Sequence, residues 1–347
     1  LGDKPDFCTQ IIVSTHSNHI VEQVEFSSLR YFKRSITDTI PTSTVINLSE
    51  VFGGTEDTIR FAKRYLKLAH ADLFFADAVI LVEGQAERLL VPYFIKECFP
   101  LLNWAYISLL EIGGSHAHTL QPLIDKLGII TLIIADIDAV KAEDRRVKVK
   151  VEKGKNRFTR NMTLKQWLPK EESVDVLLSL DDAKKEMPLV RVAYQCPKET
   201  KLVSKNIEVL PNTFEDALVY ENENLEILRT RKKDVDEKTK EVATLKEQFE
   251  SAEKETKDEI EEKLNKCEKQ LELYDSQKAI NRILSDLSNS TDGEIQEAIF
   301  NTISDKNFSK AEFALDLLYF DELKPPKYIN DGLIWLSNTL EKHNKGV

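Results

Sequence analysis

The chain has 347 residues, 41% of them hydrophobic and 31% charged, and a formal net charge of −11. This is enough apolar material for a packed core and enough length for two or three domains at about 100–200 residues each, so wholesale disorder is excluded. The longest apolar stretch, Ile129–Ala135, is interrupted by Thr131 and falls far short of the roughly 18 residues that cross a bilayer, so no membrane partner is expected. Four cysteines, Cys8, Cys98, Cys196 and Cys267, are scattered without a C-x-x-C pair. That spacing argues against a disulfide framework or zinc ribbon and for a reducing, cytoplasmic setting. The acidic balance excludes a uniformly basic coat but leaves room for a local basic site.

The chain starts at Leu1 on a polar stretch, and it is expected to be the back part of a longer protein. Short apolar runs predict strands at Gln10–Ser14, Ala78–Val82, Ala105–Leu110 and Ile129–Ala135, with two more at Leu189–Tyr194 and Ile207–Leu210. Helical patterns lie between them at Thr58–Ala71, Ala86–Phe99 and Thr119–Leu127. Alternating strands and helices predict an α/β fold with a parallel sheet flanked by helices. No proline or glycine occurs from Asn212 to Asp292, and 31 of the 60 residues from 221 to 280 are charged. Sparse apolar positions there (Leu225, Leu228, Val235, Val242, Leu245, Phe249, Leu264, Leu271) predict a long helical, coiled-coil-like hairpin with a narrow seam. Residues 294–345 read as helical, broken at Pro325 and Pro326. The expected division is 1–75, 76–220, 221–280 and 281–347.

Chemistry concentrates where strands end. The run AVILV leads into Glu83-Gly84-Gln85-Ala86-Glu87, and IITLIIA leads into Asp136-Ile137-Asp138. The C-terminal edge of a parallel sheet is where α/β folds place their ligand sites. Glu83 and Glu87 are one helical turn apart. Asp136 and Asp138 share a side if the segment is extended, and Gly84 is expected to permit a sharp turn. Two unit charges 4 Å apart repel by about 4 kcal/mol at an effective dielectric near 20, so such a cluster holds a proton or a cation. All-oxygen donors favour Mg2+, Mn2+ or Ca2+ over zinc.

LVEGQAE followed about 50 residues later by IADID resembles the Toprim domain of topoisomerases, primases, recombination proteins and OLD-family nucleases. QIIVSTHSNHIVEQV resembles the last strand and switch histidine of an ABC-type ATPase, with His16 in the phosphate-sensing place. An ABC ATPase end followed directly by Toprim resembles the OLD (overcoming lysogenization defect) family, which includes the nuclease subunit of the Gabija antiphage system. The resemblance implies a Toprim nuclease core at 76–220 preceded by an ATPase remnant and linker at 1–75. It carries Glu215, in LPNTFE, over as a further metal ligand. It carries Lys310, in SKAEFA, over as the catalytic lysine; the usual glycine after that lysine is Ala311 here, and Lys306 is the fallback. Gly113 and Gly114 suit a tight turn. No G-x-x-x-x-G-K-[ST] phosphate loop exists in the chain, so ATP is expected to act only in the full-length protein.

Residues 141–160 carry nine basic side chains against three acids: Lys141, Arg145, Arg146, Lys148, Lys150, Lys153, Lys155, Arg157 and Arg160. Placed beside the D-x-D motif, they are expected to grip a nucleic-acid backbone, with affinity falling steeply with salt. The reading is a DNA endonuclease in antiphage defence or DNA processing, working by two-metal hydrolysis with Mg2+ or Mn2+. Glu83, Asp136 and Lys310 would be catalytic, and Glu83, Glu87, Asp136, Asp138 and Glu215 would hold metal. A homodimer or higher oligomer and a helicase-type partner are expected. The alternatives are a non-catalytic DNA-binding or assembly module, and a topoisomerase- or primase-like Toprim enzyme.

Overall fold

The computed structural model describes residues 10–37, 40–48, 71–113, 116–202, 205–222, 226–251, 257, 259–268, 291–306, 308–318 and 323–345. The helix expected at Thr58–Ala71 lies almost wholly outside them. The strand expected at Gln10–Ser14 does not form: these residues are irregular, and Ile11 is 79% exposed. A strand is held by ladder hydrogen bonds to a neighbour, and none among the described residues pairs with this run. An unforeseen antiparallel hairpin follows, β1 (Arg30–Thr37) and β2 (Ile40–Asn47). Its many polar residues give little of the strict alternation by which a half-buried strand is recognised.

The centre of the molecule is a five-stranded sheet. Its strands are β3 (Ala78–Val82), β4 (Ile107–Glu111), β5 (Ile130–Ile134), β6 (Glu186–Met187) and β7 (Val190–Ala193), in the order β4-β3-β5-β7-β6. All neighbours are parallel except β6, which returns antiparallel on the edge. Every residue of β3 and β5 is buried, which is why both read as unbroken apolar runs. Side chains alternate between faces. Ala78, Ile80 and Val82 enter one core cluster, while Val79 and Leu81 enter another. Between β3 and β4 runs α1 (Gln85–Cys98), and α2 (Gln121–Leu127) precedes β5. The expected strand at Ile207–Leu210 lies outside this sheet. It belongs to an antiparallel ribbon of β8 (Lys198–Leu202) and β9 (Lys205–Val209), which leads into α3 (Phe214–Glu221).

The charged region is helical from Glu226 to Ser251 (α4), with further helix at 259–268. Lys246 Nζ lies 2.8 Å from Glu268 Oε1, so the two segments touch. Val242 and Cys267 are buried, as a seam requires. Toward the C-terminus follow α5 (Asp292–Ile303), α6 (Lys310–Leu317) and α7 (Lys327–Lys345), with Pro325 and Pro326 just before the last. They bury Ile295, Ile299, Phe313, Ala314, Ile329 and Leu333 in the same cluster as Ile80 and Leu90. Among them α5 packs on α3 and α6 on α1, while α7 lies against β5 and β7 on one face of the central sheet. This last approach is close: a Cβ on Gly332 would stand 3.0 Å from Leu132 Cδ1 and 3.1 Å from Ala193 Cβ.

Gly332→Leu is expected to lower stability by about 1–3 kcal/mol in urea denaturation, the usual cost of overpacking a filled core. Gly293→Ala, where nothing lies within 4 Å of the new methyl group, is expected to leave stability unchanged or slightly raised.

Candidate metal centre

The ends of β3 and β5 open on a pocket of about 300 Å3 lined by Glu83, Gly84, Gln85, Ala86, Glu87, Asp136, Asp138, Lys148, Arg160, Glu215 and Lys310. All five acids singled out from the sequence meet there, although Glu83 and Lys310 are separated by more than two hundred residues. Each arrives differently. Glu83 leaves the tip of β3, and Glu87 sits in the first turn of α1. Gly84 is the N-cap of that helix at φ −145° and ψ 179°, which is ordinary extended backbone. Its lack of a side chain serves another purpose than the expected sharp turn: a Cβ there would stand 3.1 Å from Glu87 Oε2. The glycine makes room for the carboxylate.

Asp136 and Asp138 follow β5, but the segment is not extended through Asp138, whose φ is +49°. The left-handed turn costs about 1 kcal/mol or more for a residue with a Cβ, and it brings both carboxylates to the pocket while Ile137 is fully buried in the core. Glu215 stands in the first turn of α3. Its neighbour Asp216 accepts the Asn212 N–H at 2.9 Å and the Thr213 N–H at 2.7 Å, tying down the backbone that presents Glu215. Lys310 is the first residue of α6, whose N-cap Ser309 Oγ accepts from the Glu312 N–H. A cation at a helix N-terminus opposes the helix dipole. Glu215, 2.7 Å from Lys310 Nζ, offsets that cost. Lys306 is exposed and does not line the pocket.

Burial and crowding set the charges. Burial pushes the Glu83 carboxyl up to about 8, and the charge of Asp136 adds to this. Glu87 lies well above the ordinary carboxylate range through burial, with Asp136 and Glu215 repelling it further. Burial raises Asp136 to about 7 despite the pull of Lys310. Asp138 behaves oppositely. Burial would raise it, but Lys148 at 2.8 Å and Arg160 at 3.2 Å outweigh that and hold it below its usual value. Burial likewise works against the Lys310 ammonium, and Glu215 and Asp136 more than compensate, keeping it protonated.

The donor chemistry fits a hard divalent cation. Five carboxylates line the pocket with no thiol or imidazole, and the raised acids gain most from a cation that removes their mutual repulsion. Among the described residues no three acidic, histidine or cysteine side chains are already arranged so that together they could hold a metal ion. Lys148, Arg160 and Lys310 reach in between the acids instead.

The basic segment divides in two. Lys148 and Arg160 turn into the pocket. Arg145 pairs with Glu172 at 2.9 Å, Lys150 with Glu297 at 3.2 Å, Lys153 with Glu208 at 2.6 Å and Arg157 with Glu152 at 3.1 Å. Lys141, Arg146 and Lys155 are exposed. His16 is exposed, its ring centroid 5.7 Å from that of Phe75. Sequence reasoning passed over Asn161, Gln195 and Tyr328. The first two have no exposed surface, and all three join the hydrogen bonds around Glu83 and Asp136. The one available signal was Asn161 before Met162, since asparagine is a favoured helix N-cap.

Residues 74–138 match the family model of the overcoming lysogenization defect protein-like Toprim domain. This segment is similar to an OLD-like Toprim domain. Glu83, Glu87, Asp136 and Asp138 lie within it, whereas Glu215 and Lys310 come from outside the matched residues. The chain is 27% identical over 350 residues to "Endonuclease GajA" of Bacillus cereus (strain HuB5-5), covering 96% of this chain and 43% of that protein. It is 28% identical over 127 residues to the protein of the same name from strain VD045, covering 36% of this chain and 20% of that one. The chain therefore spans less than half the length of these curated relatives. Among solved structures it is similar to the C-terminal region of the Xanthomonas campestris pv. campestris OLD protein, at 18% identity and TM-score 0.36, covering 79% of this chain and 98% of that one.

The shifted acids of the pocket carry a pH dependence. The Glu83 carboxyl titrates near 4.5 without the fold and near 8 within it, so between those values the folded state holds the extra proton. Such a group stabilises most below about pH 4.5, and that stability is lost as the pH rises toward 8. In EDTA the Tm of the protein is expected to fall from pH 5 to pH 8, and Glu83→Gln is expected to flatten the fall. Thermal melts across the window check both.

Proposed function

We propose that this chain is the nuclease portion of a larger OLD-type protein and that it hydrolyses DNA phosphodiester bonds with Mg2+ or Mn2+. The observation that carries the reading is the convergence of five carboxylates and three cations on one pocket of a Toprim domain. The names of the curated relatives, both endonucleases, support it. In the two-metal scheme, bound ions lower the pKa of an attacking water and stabilise the leaving oxygen. Glu83, Glu87, Asp136, Asp138 and Glu215 would hold the ions. Lys310, kept protonated by Glu215 and Asp136, would neutralise charge that builds on the phosphate. Lys148 and Arg160 stand where a phosphate entering the pocket meets them. Among the described residues no tyrosine lines the pocket, which favours water over a covalent tyrosyl intermediate as the nucleophile.

Lys141, Arg146 and Lys155 would meet DNA backbone outside the pocket. A homodimer or higher oligomer, a helicase-type partner and an ATP response through His16 in the full-length protein belong to the same proposal, as does a role in antiphage defence. These rest on the resemblance of the sequence to the family.

Plasmid nicking tests the reaction. With Mn2+ or Mg2+ the chain is expected to nick supercoiled DNA, and Asp136→Ala and Lys310→Met are each expected to reduce the rate by about 100-fold or more, the usual cost of losing one transition-state group. A chain inactive with every divalent ion, or an Asp136→Ala protein as active as the wild type, would point to a DNA-binding or assembly module.

Salt titration tests the basic face. Replacing Lys141, Arg146 and Lys155 together by alanine is expected to weaken DNA binding uniformly across sequences. The slope of log affinity against log salt is expected to fall by about 1 for each phosphate that is no longer neutralised. Fluorescence anisotropy with a labelled duplex measures it.

A further inference from the structure

Glu83 and Asp136 differ from the other acids in what holds them. Asp138 and Glu215 are bound by cations, Lys148 with Arg160 and Lys310 respectively. Glu83 and Asp136 are bound by neutral carboxamides. Gln195 Nε2 donates to Asp136 Oδ1 at 2.7 Å and to the Tyr328 hydroxyl oxygen at 3.2 Å, while its Oε1 accepts the Ile137 N–H at 2.9 Å. Asn161 Nδ2 donates to Glu83 Oε1 and to the Asp136 carbonyl oxygen, the latter at 2.8 Å, while its Oδ1 accepts the Thr163 N–H at 3.0 Å.

Both amides have no exposed surface, and a buried amide is costly unless its hydrogen bonds are made. Here both N–H donors and the carbonyl of each are used, so neither side chain can be turned over. A flipped Gln195 would set its oxygen against the Asp136 carboxylate and its NH2 group against the Ile137 N–H. The partners also come from distant places: Tyr328 lies on α7, and Asn161 caps a short helix at Met162–Gln166. A neutral donor fixes one carboxylate oxygen without cancelling the charge, whereas a lysine in the same place would compete with a metal cation.

We propose that Gln195 and Asn161 are positioning residues for the carboxylate cluster. Each occupies one oxygen of one acid and leaves the other to ligate a divalent cation, and Tyr328 locks the Gln195 amide in the required orientation. The inference rests on the metal-dependent reading above and adds the groups that orient the ligands. Residues that orient metal ligands in this way typically govern about 10–100-fold in metal affinity.

The test is Mn2+ binding by isothermal titration calorimetry at pH 8, with a melt of each protein and the Mn2+ midpoint of nicking alongside. Gln195→Met is expected to raise the Mn2+ Kd by about 10-fold or more and to shift the nicking midpoint by the same factor, with the rate at saturating Mn2+ much less changed. A merely structural role would lower Tm without moving either Mn2+ value. Tyr328→Phe removes only the hydroxyl and is expected to raise Kd by a smaller factor, severalfold, so it decides the matter if Gln195→Met does not fold. Folded variants whose Mn2+ Kd stays within twofold of wild type, while wild type binds and cleaves, overturn this inference alone. A wild-type chain that takes up no Mn2+ overturns the metal reading and this inference together.

Discussion

The organisation of this molecule follows from the cost of keeping carboxylates close together and out of water. Burial and mutual repulsion push Glu83, Glu87 and Asp136 above their ordinary range. A fold can hold such a cluster only if other interactions outweigh that cost. The sheet does so through β3 and β5, which are buried on both faces. Glu83 and Asp136 follow closely on the ends of those strands, so the fully buried centre of the sheet carries the most strained electrostatics.

Three kinds of compensation surround the cluster. Cations reach Asp138 and Glu215. Neutral amides hold Glu83 and Asp136 without neutralising them. Backbone geometry does the rest: the left-handed Asp138, the bare Cα of Gly84 beside Glu87, and the Asp216 cap that presents Glu215. A divalent cation is the chemically natural complement of what remains, since it relieves the repulsion that the protein leaves uncompensated.

The central strands were legible because strands covered on both faces must be apolar throughout, and AVILV and ITLII are. The hairpin at 30–47 was not, because its many polar residues give no clear alternation. The run QIIVS carried a strand signal that the structure does not realise, since composition reports suitability for a sheet but cannot supply a neighbouring strand. Gly84 was legible as special but for a different reason from the real one: its backbone is unstrained, and the space it leaves is filled by a side chain three residues on. Gln195 and Tyr328 were invisible and Asn161 was legible only as a helix cap, because a buried polar residue gains its meaning only from the partners around it.

The sequence by itself determined the acids at strand ends, the parallel α/β core and the basic run at 141–160, because each depends on local pattern: strand burial, residue spacing and charge density. Only the tertiary structure decided that Glu215 and Lys310 meet each other 2.7 Å apart in the same pocket as the acids that follow β3 and β5. It also decided which basic residues turn inward and which amides orient the carboxylates. Those outcomes depend on α6 packing against α1 and α7 against the sheet across long stretches of chain, and pairings at that separation are fixed by the packing of the core rather than by any run of neighbouring residues.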